Sequence, residues 1–111
     1  MAAEVDAVGS FEEQVLVGIL RTGNEAYGMA VRRELEAVGG REVAIGAVYA
    51  TLDRLEAKGL VASERGEGTG ARRLFAVTRD GLRALAATRQ ARERLWSGVD
   101  LAAFATASAA R

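Results

Sequence analysis

The sequence contains neither cysteine nor histidine among its 111 residues. Without cysteine, the chain has no disulfide framework, no thiol nucleophile and no thiolate metal site. Without histidine, it lacks the commonest general base and metal ligand. Pairs of neighbouring carboxylates occur in the sequence, but no nucleophile or general base accompanies them to form a catalytic site. The sequence therefore predicts no enzyme activity, no catalytic residue, no bound metal and no cofactor.

Long apolar runs are absent as well. No run of about 18 apolar residues could span a membrane, and the first residues lack the basic-then-apolar pattern of a signal peptide. We expect a cytoplasmic protein that does not contact a membrane. Half of the residues are nevertheless hydrophobic, which allows one small domain to bury a packed core.

The net charge is zero, because fifteen acidic side chains balance fifteen basic ones. The two signs are distributed unevenly along the chain. Residues 1–40 carry seven acidic and three basic side chains, whereas residues 41–83 carry six and eight. All but one of the cations are arginine, the residue suited to bidentate contacts with phosphate and guanine. This bias alone favours a nucleic-acid partner only mildly.

The central pattern of the chain lies in residues 44–61. Apolar residues recur there at steps of three and four and predict the buried stripe of a helix. These residues are Ile45, Val48, Leu52 and Leu55. The opposite side is expected to hold Gly46, Ala47, Ala50 and Arg54. Short side chains followed by a cation are typical of a helix that enters a DNA major groove. An ordinary surface helix fits the stripe equally well.

The rest of the chain shows further helix and strand patterns. Ser10 and Glu13 have the spacing of a capping box, and Thr78 can cap the last helix. The glycine-rich residues 66–71 predict a polar hairpin tip. We predict helices over residues 10–21, 25–38 and 79–99 or 79–101, and strands over residues 60–65 and 72–77.

Three helices followed by a two-stranded ribbon form a winged helix-turn-helix, in which the third helix enters the major groove. The predicted fold class is mainly α (α+β), with a C-terminal dimerisation helix. Residues 10–78 would form the DNA-binding domain and residues 79–102 the dimerisation helix. Residues 1–9 and 103–111 would be flexible termini.

Three segments resemble the PadR family of bacterial transcriptional regulators. They are residues 26–30 (AYGMA), 46–61 (GAVYATLDRLEAKGLV) and 72–81 (RRLFAVTRDG). The chain departs from the family pattern at Ala50, where proline is common, and at Phe75, where tyrosine is common. The resemblance implies a homodimeric repressor that binds double-stranded DNA and is often relieved by a small molecule.

The DNA-binding surface is expected to combine the third helix, the start of the second helix and the base of the wing. Arg65, Arg72 and Arg73 flank the predicted wing tip, although arginines beside a hairpin are often merely solvated. Tyr27 and Tyr49 could instead be core-packing residues. The predicted DNA-binding residues are Tyr27, Gly46, Ala47, Tyr49, Ala50, Arg54, Lys58, Arg65, Arg72 and Arg73.

The last helix carries an apolar stripe that no other segment obviously covers. Because such a helix usually finds a partner, we predict a homodimer. Trp96 would pack at the dimer seam or line a site for a small aromatic effector. Leu82, Leu85 and Ala86 would face the chain's own core. The predicted dimer-interface residues are Ala84, Ala91, Leu95, Trp96 and Val99.

A different class of function fits the same fold. A winged helix can act as a protein-interaction module that never contacts DNA, and the zero net charge favours this alternative. The two functions differ in the salt dependence of duplex DNA binding.

Overall fold

The computed structural model describes residues 7–66 and 72–109, with side chains described up to residue 106. Residues 1–6 and most of the predicted wing tip lie outside the described residues. The chain forms α1 (Ser10–Thr22), a short 3-10 turn (Gly23–Glu25), α2 (Gly28–Gly39), α3 (Ile45–Ala57), β1 (Val61–Arg65), β2 (Arg73–Val77), α4 (Arg79–Trp96) and α5 (Leu101–Ala109). The predicted winged-helix order is confirmed, and so is the mainly helical class.

The wing is a two-stranded antiparallel sheet. Val61 lies opposite Val77, and Arg65 lies opposite Arg73 at the far end of the ladder. The sheet is joined to the helical part by a hydrogen bond from the Phe75 amide to the Ala26 carbonyl, with an N–O distance of 2.9 Å. This bond fixes the chain between α1 and α2 against β2.

The core forms around α3. Its residues Val48, Leu52 and Leu55 are completely buried, as the stripe predicted. Burial of an aliphatic side chain of this size contributes about 1.5–3 kcal/mol each. α3 is therefore held on three sides, and only its remaining side is open to a partner. The buried residues that complete the core are Val15, Leu16, Ile19, Ala26, Val31, Val61 and Phe75.

The chain before α1 is attached to the fold. Gly9 is the N-cap of α1, and its amide donates to a Glu12 carboxylate oxygen at 3.1 Å. The capping pair therefore lies one residue earlier than the predicted Ser10 and Glu13. The Val8 amide donates to the Thr88 hydroxyl of α4 at 3.0 Å. Val8 and Gly9 are thus hydrogen-bonded to α4 and α1, whereas the flexibility of residues 1–9 stays a prediction.

The junction of the wing and α4 depends on a threonine and a glycine. The Thr78 hydroxyl accepts a hydrogen bond from the Gly81 amide at 3.0 Å and donates to the Gly59 carbonyl at 2.7 Å. A Cβ atom on Gly81 would lie 2.2 Å from the Leu60 carbonyl oxygen. Only glycine therefore permits this close approach of α4 to the start of β1.

The single C-terminal helix predicted from the sequence is divided in two. Gly98 has a φ of +78°, a left-handed conformation that ends a helix. The Asp100 carboxylate then accepts from the Ala102 amide at 3.0 Å and caps the start of α5. Val99 lies between the helices and not on α4. Residues 103–109 are helical, in contrast to the predicted flexible end.

The side of α4 that was expected to be uncovered is partly covered by the chain itself. Ala84 is buried, and the nearby Thr88 hydroxyl accepts a hydrogen bond from the Val8 amide. An ion pair between Arg92 and Glu13 also joins α4 to α1. Ala84 is therefore unavailable to a partner. Leu82 and Ala86, both expected to face the core, are exposed, whereas Leu85 packs against the core as predicted.

We predict that Gly81→Ala destabilises the chain, because the new methyl group would meet a backbone oxygen that cannot rotate away. Forced overpacking of this kind typically costs about 1–3 kcal/mol. Thermal unfolding should show a lower melting temperature. Gly46→Ala is the matched control, since a Cβ there meets no heavy atom within 4 Å and alanine favours a helix. Equal melting temperatures for the two variants would contradict this account of the junction.

Candidate nucleic-acid interface

α3 presents small side chains to solvent in its N-terminal half. Gly46, Ala47 and Ala50 are all exposed. Tyr49, between them, is 41% exposed. Asp53 follows one turn after Tyr49 and is also exposed. A helix surface with short side chains allows its backbone to come close to base edges in a major groove.

Tyr49 lies across the start of α2. A Cβ atom on Gly28 would be only 2.4–2.7 Å from the ring and hydroxyl atoms of Tyr49. The ring therefore occupies the space that any larger residue at position 28 would need. The Tyr49 ring near the start of α3 therefore requires a glycine at the start of α2, which Gly28 of the Tyr27–Gly28 pair supplies. This contact also orients Tyr49 at the edge of the exposed side.

Arg54 and Lys58 do not project freely from α3. The Lys58 ammonium lies 2.8 Å from a Glu12 carboxylate oxygen, and the Arg54 guanidinium lies 3.7 Å from the same oxygen. Arg54 also donates to the hydroxyl of the buried Thr51 at 3.0 Å. The Arg54 side chain is 56% exposed, and its contacts with Glu12 and Thr51 hold it on the side of α3 that faces α1. A DNA contact by either cation stays a prediction.

Glu12 holds this side of α3 to α1. Its side chain is only 12% exposed and accepts from Lys58 and from the Gly9 amide. The Lys58 hydrogen bond is the main reason that the pKa of the Glu12 carboxyl lies below its ordinary value of 4.5. Partial burial opposes this shift, while the Gly9 hydrogen bond and the positive charges of Lys58 and Arg54 support it.

Arg73 is also paired within the chain. Its guanidinium lies 2.5 Å from Glu56 and 3.3 Å from Asp53, both on α3. It also covers the Phe75 ring at 4.9 Å from the ring centroid. A hydrogen bond from the Ser63 hydroxyl, followed by the Arg73 contact, lowers the pKa of Glu56. Arg73 therefore fastens the wing to α3, and its predicted DNA contact is untested.

Two other arginines meet at Tyr27, the N-cap residue of α2. The Arg72 guanidinium carbon lies 4.0 Å from the Tyr27 ring centroid. Arg33 donates to the Tyr27 hydroxyl at 2.5 Å, and its guanidinium carbon lies 5.7 Å from the same centroid. We call these three residues the Tyr27 cluster. It lies at the start of α2, close to the base of the wing.

Arg33 is the residue that the sequence analysis missed. It follows Tyr27 by six residues. Side chains that contact each other along one helix face are three or four residues apart, so this spacing does not predict a contact. Tyr27 lies just before α2 and turns back over it, so the contact between Tyr27 and Arg33 depends on the capping geometry.

Arg65, one of the predicted DNA-binding residues, is exposed at the end of β1, where the sequence placed it.

Most of the chain matches a known family. Residues 16–87 match the model described as the transcriptional regulator PadR-like family. The chain belongs to the PadR-like family. A curated relative, transcriptional regulator Rv3488 of Mycobacterium tuberculosis, is 44% identical over 73 residues, which cover 65% of this chain and 67% of the relative.

Solved structures of PadR-like proteins share the fold. A PadR family transcriptional regulator from Eggerthella lenta is 30% identical and superposes with a TM-score of 0.64, covering 77% of this chain and 76% of its own. RosR from H. salinarum is similar in fold, with a TM-score of 0.68 and 24% identity over 96% of this chain and 98% of its own.

As a PadR-like protein, the chain is a transcriptional regulator and not an enzyme. Within residues 7–66 and 72–109, no group of three or more metal-ligating side chains is close enough to hold an ion. None of the helices in the described part of the chain combines the length and the hydropathy needed to cross a bilayer.

We predict that Glu12→Gln lowers the melting temperature at neutral pH, because it removes the charge that pairs with Lys58 and Arg54. A carboxyl with a lowered pKa stabilises the folded state above its unfolded pKa and loses this effect as pH falls through its folded pKa. The difference from the parent should therefore shrink from about pH 4.5 downwards. Glu64→Gln on β1 is the control; a pH-independent difference for Glu12→Gln would contradict the ion-pair explanation.

Proposed function

We propose that this PadR-like regulator is a homodimeric repressor that binds double-stranded DNA through the N-terminal half of α3. The observation that carries the proposal is the exposed run of small side chains on α3, with Tyr49 at its edge and the Tyr27 cluster beside it. Small residues would enter the major groove, and the cluster would contact the backbone.

The distribution of ion pairs supports this orientation. On the α1 side of α3, one carboxylate, Glu12, pairs with both Lys58 and Arg54, and on the wing side two carboxylates, Glu56 and Asp53, pair with Arg73. Arg33 and Arg72, which form no ion pair in the part of the chain that the structure describes, add positive charge near the start of α2 and the base of β2. A DNA duplex lying across the α3 N-terminus would follow this charge.

We propose that the dimer forms through the C-terminal part of α4 and through α5. Leu95 is 76% exposed, and Phe104 on α5 is 65% exposed. Trp96, Val99 and the half-buried Ala91 adjoin them, so these predicted interface residues stay in the proposal while Ala84 leaves it. Exposed apolar side chains in this number favour burial against a second copy.

Two-fold symmetry of the dimer would impose two-fold symmetry on its DNA site. We expect a pseudo-palindromic operator with half-site centres one or two helical turns apart, each turn being about 34–36 Å. Repression follows from occupancy of that operator. A small planar aromatic effector would act by stacking on the 48% exposed Trp96 and changing the spacing of the two α3 helices.

The alternative is a protein-interaction module. It is favoured by Asp53, whose side chain is 65% exposed on the same side of α3, where a carboxylate would repel DNA phosphate. The measurement that separates the two functions is the affinity for duplex DNA at several salt concentrations. DNA binding requires a linear decrease of log K with log salt, whereas a protein-interaction module would show no measurable duplex binding.

We predict that Gly46→Leu abolishes specific operator binding and leaves the fold intact. The leucine would fill the space through which the α3 backbone approaches the bases, yet its Cβ atom would meet no heavy atom of the chain within 4 Å. Ala57→Leu is the control, because it adds similar bulk about 16 Å further along the same helix. Affinities for a selected operator and a random duplex should be compared. Equal operator affinity for both variants would show that α3 does not enter the groove.

We predict that Leu95→Glu shifts the protein from dimer to monomer, because it introduces a charge into the proposed apolar interface. Sedimentation should give twice the chain mass for the parent and for the control Ala86→Glu, which changes an exposed residue of α4. A parent that remains monomeric at tens of micromolar, where typical dimers are assembled, would contradict the proposal.

A further inference from the structure

The Tyr27 cluster brings two positive charges to one aromatic ring. Arg72 stacks on the ring at 4.0 Å, and Arg33 donates to the hydroxyl at 2.5 Å. A stacked or hydrogen-bonded guanidinium has lost part of its rotamer freedom before any ligand arrives, so it binds an anion with a smaller entropic cost.

The cluster differs in its partners from three other cations that were predicted to contact DNA. Arg54, Lys58 and Arg73 are each paired with a carboxylate. In the part of the chain that the structure describes, neither Arg33 nor Arg72 forms an ion pair with a carboxylate. Both side chains are exposed. Two guanidinium groups held near each other without a counter-charge attract an external anion.

The position of the cluster is fixed by the backbone. The Phe75 amide donates to the Ala26 carbonyl at 2.9 Å, so the residue before Tyr27 is joined to β2. The Val31 amide donates to the Tyr27 carbonyl at 3.0 Å and starts α2. Tyr49 of α3 packs on Gly28, the next residue. The cluster therefore keeps a constant position relative to α2, α3 and the wing.

We infer that the Tyr27 cluster is a preformed site for the phosphodiester backbone of DNA, in which Arg33 and Arg72 bind phosphate and Tyr27 positions both of them. This inference rests on the proposed function. It adds Arg33 to the contact surface and assigns Tyr27 a role in holding the two arginines instead of a contact with a base. A site of this kind fixes the protein on the duplex without reading sequence.

The first test is Arg33→Ala, compared at several salt concentrations on the selected operator and on a random duplex. Loss of one phosphate contact should reduce the slope of log K against log salt by about 0.9. The affinity should fall by a similar factor on both duplexes. The control is Arg89→Ala, which removes the same charge from an α4 side chain that is 77% exposed and should leave the slope unchanged.

The second test concerns the positioning role of Tyr27. Tyr27→Phe keeps the ring under Arg72 and removes only the hydroxyl that holds Arg33. Its loss of affinity should therefore be smaller than that of Tyr27→Leu, which removes both contacts. Tyr27→Phe and Arg33→Ala should also be non-additive, since each removes the same hydrogen bond. Melting temperatures of all variants identify any loss that arises from unfolding.

The outcomes separate this inference from the proposed function. If the parent protein shows no salt-dependent duplex binding, the proposed function fails. If the parent binds DNA but Arg33→Ala and Arg89→Ala give the same affinity and the same salt slope, the phosphate site is wrong. Additive effects of Tyr27→Phe and Arg33→Ala would likewise overturn the positioning role of Tyr27.

Discussion

Burial of the apolar stripe of α3 is the constraint on which the other features depend. Val48, Leu52 and Leu55 are completely buried against α1, α2 and the sheet. A helix fixed on these sides has only one side left for a partner. The residues on that side are small in the first half of the helix, so the packing of the core determines the shape of the surface proposed to meet DNA.

Carboxylates then decide which cations remain available. Glu12 pairs with Lys58 and Arg54, while Asp53 and Glu56 pair with Arg73. These contacts stabilise the positions of α1 and the wing relative to α3. They also explain how a chain of zero net charge can present a local positive surface. The numbers of positive and negative side chains are equal, but the two signs are distributed unevenly over the surface.

Two glycines explain segments of the PadR-like pattern in physical terms. Gly28 leaves room for the Tyr49 ring, and Gly81 leaves room for the Leu60 carbonyl. In both cases the side chain that is absent allows two elements to approach closely. The first contact orders the side of α3 proposed to meet DNA, and the second sets the direction in which α4 leaves the wing.

The sequence by itself determined the order of helices and strands and the buried stripe of α3. These features follow from local spacing and capping, which depend on neighbours a few residues away. The sequence also contained the signal that divides α4 from α5, since Gly98 and Asp100 are helix-ending and helix-starting residues. The apolar pattern on either side outweighed that signal in the prediction of one long helix.

Only the tertiary structure decided which side chains are free to act. Arg54 was placed correctly on α3, but Glu12 lies 42 positions earlier in the chain, and no local rule relates the two. Ala84 belongs to an apolar stripe, but it is buried within the chain's own fold. Arg33 and Arg72, 39 positions apart in the chain, are brought together because both contact the side chain of Tyr27. Pairing of charges over such distances depends on the packing of separate elements, which local sequence patterns do not encode.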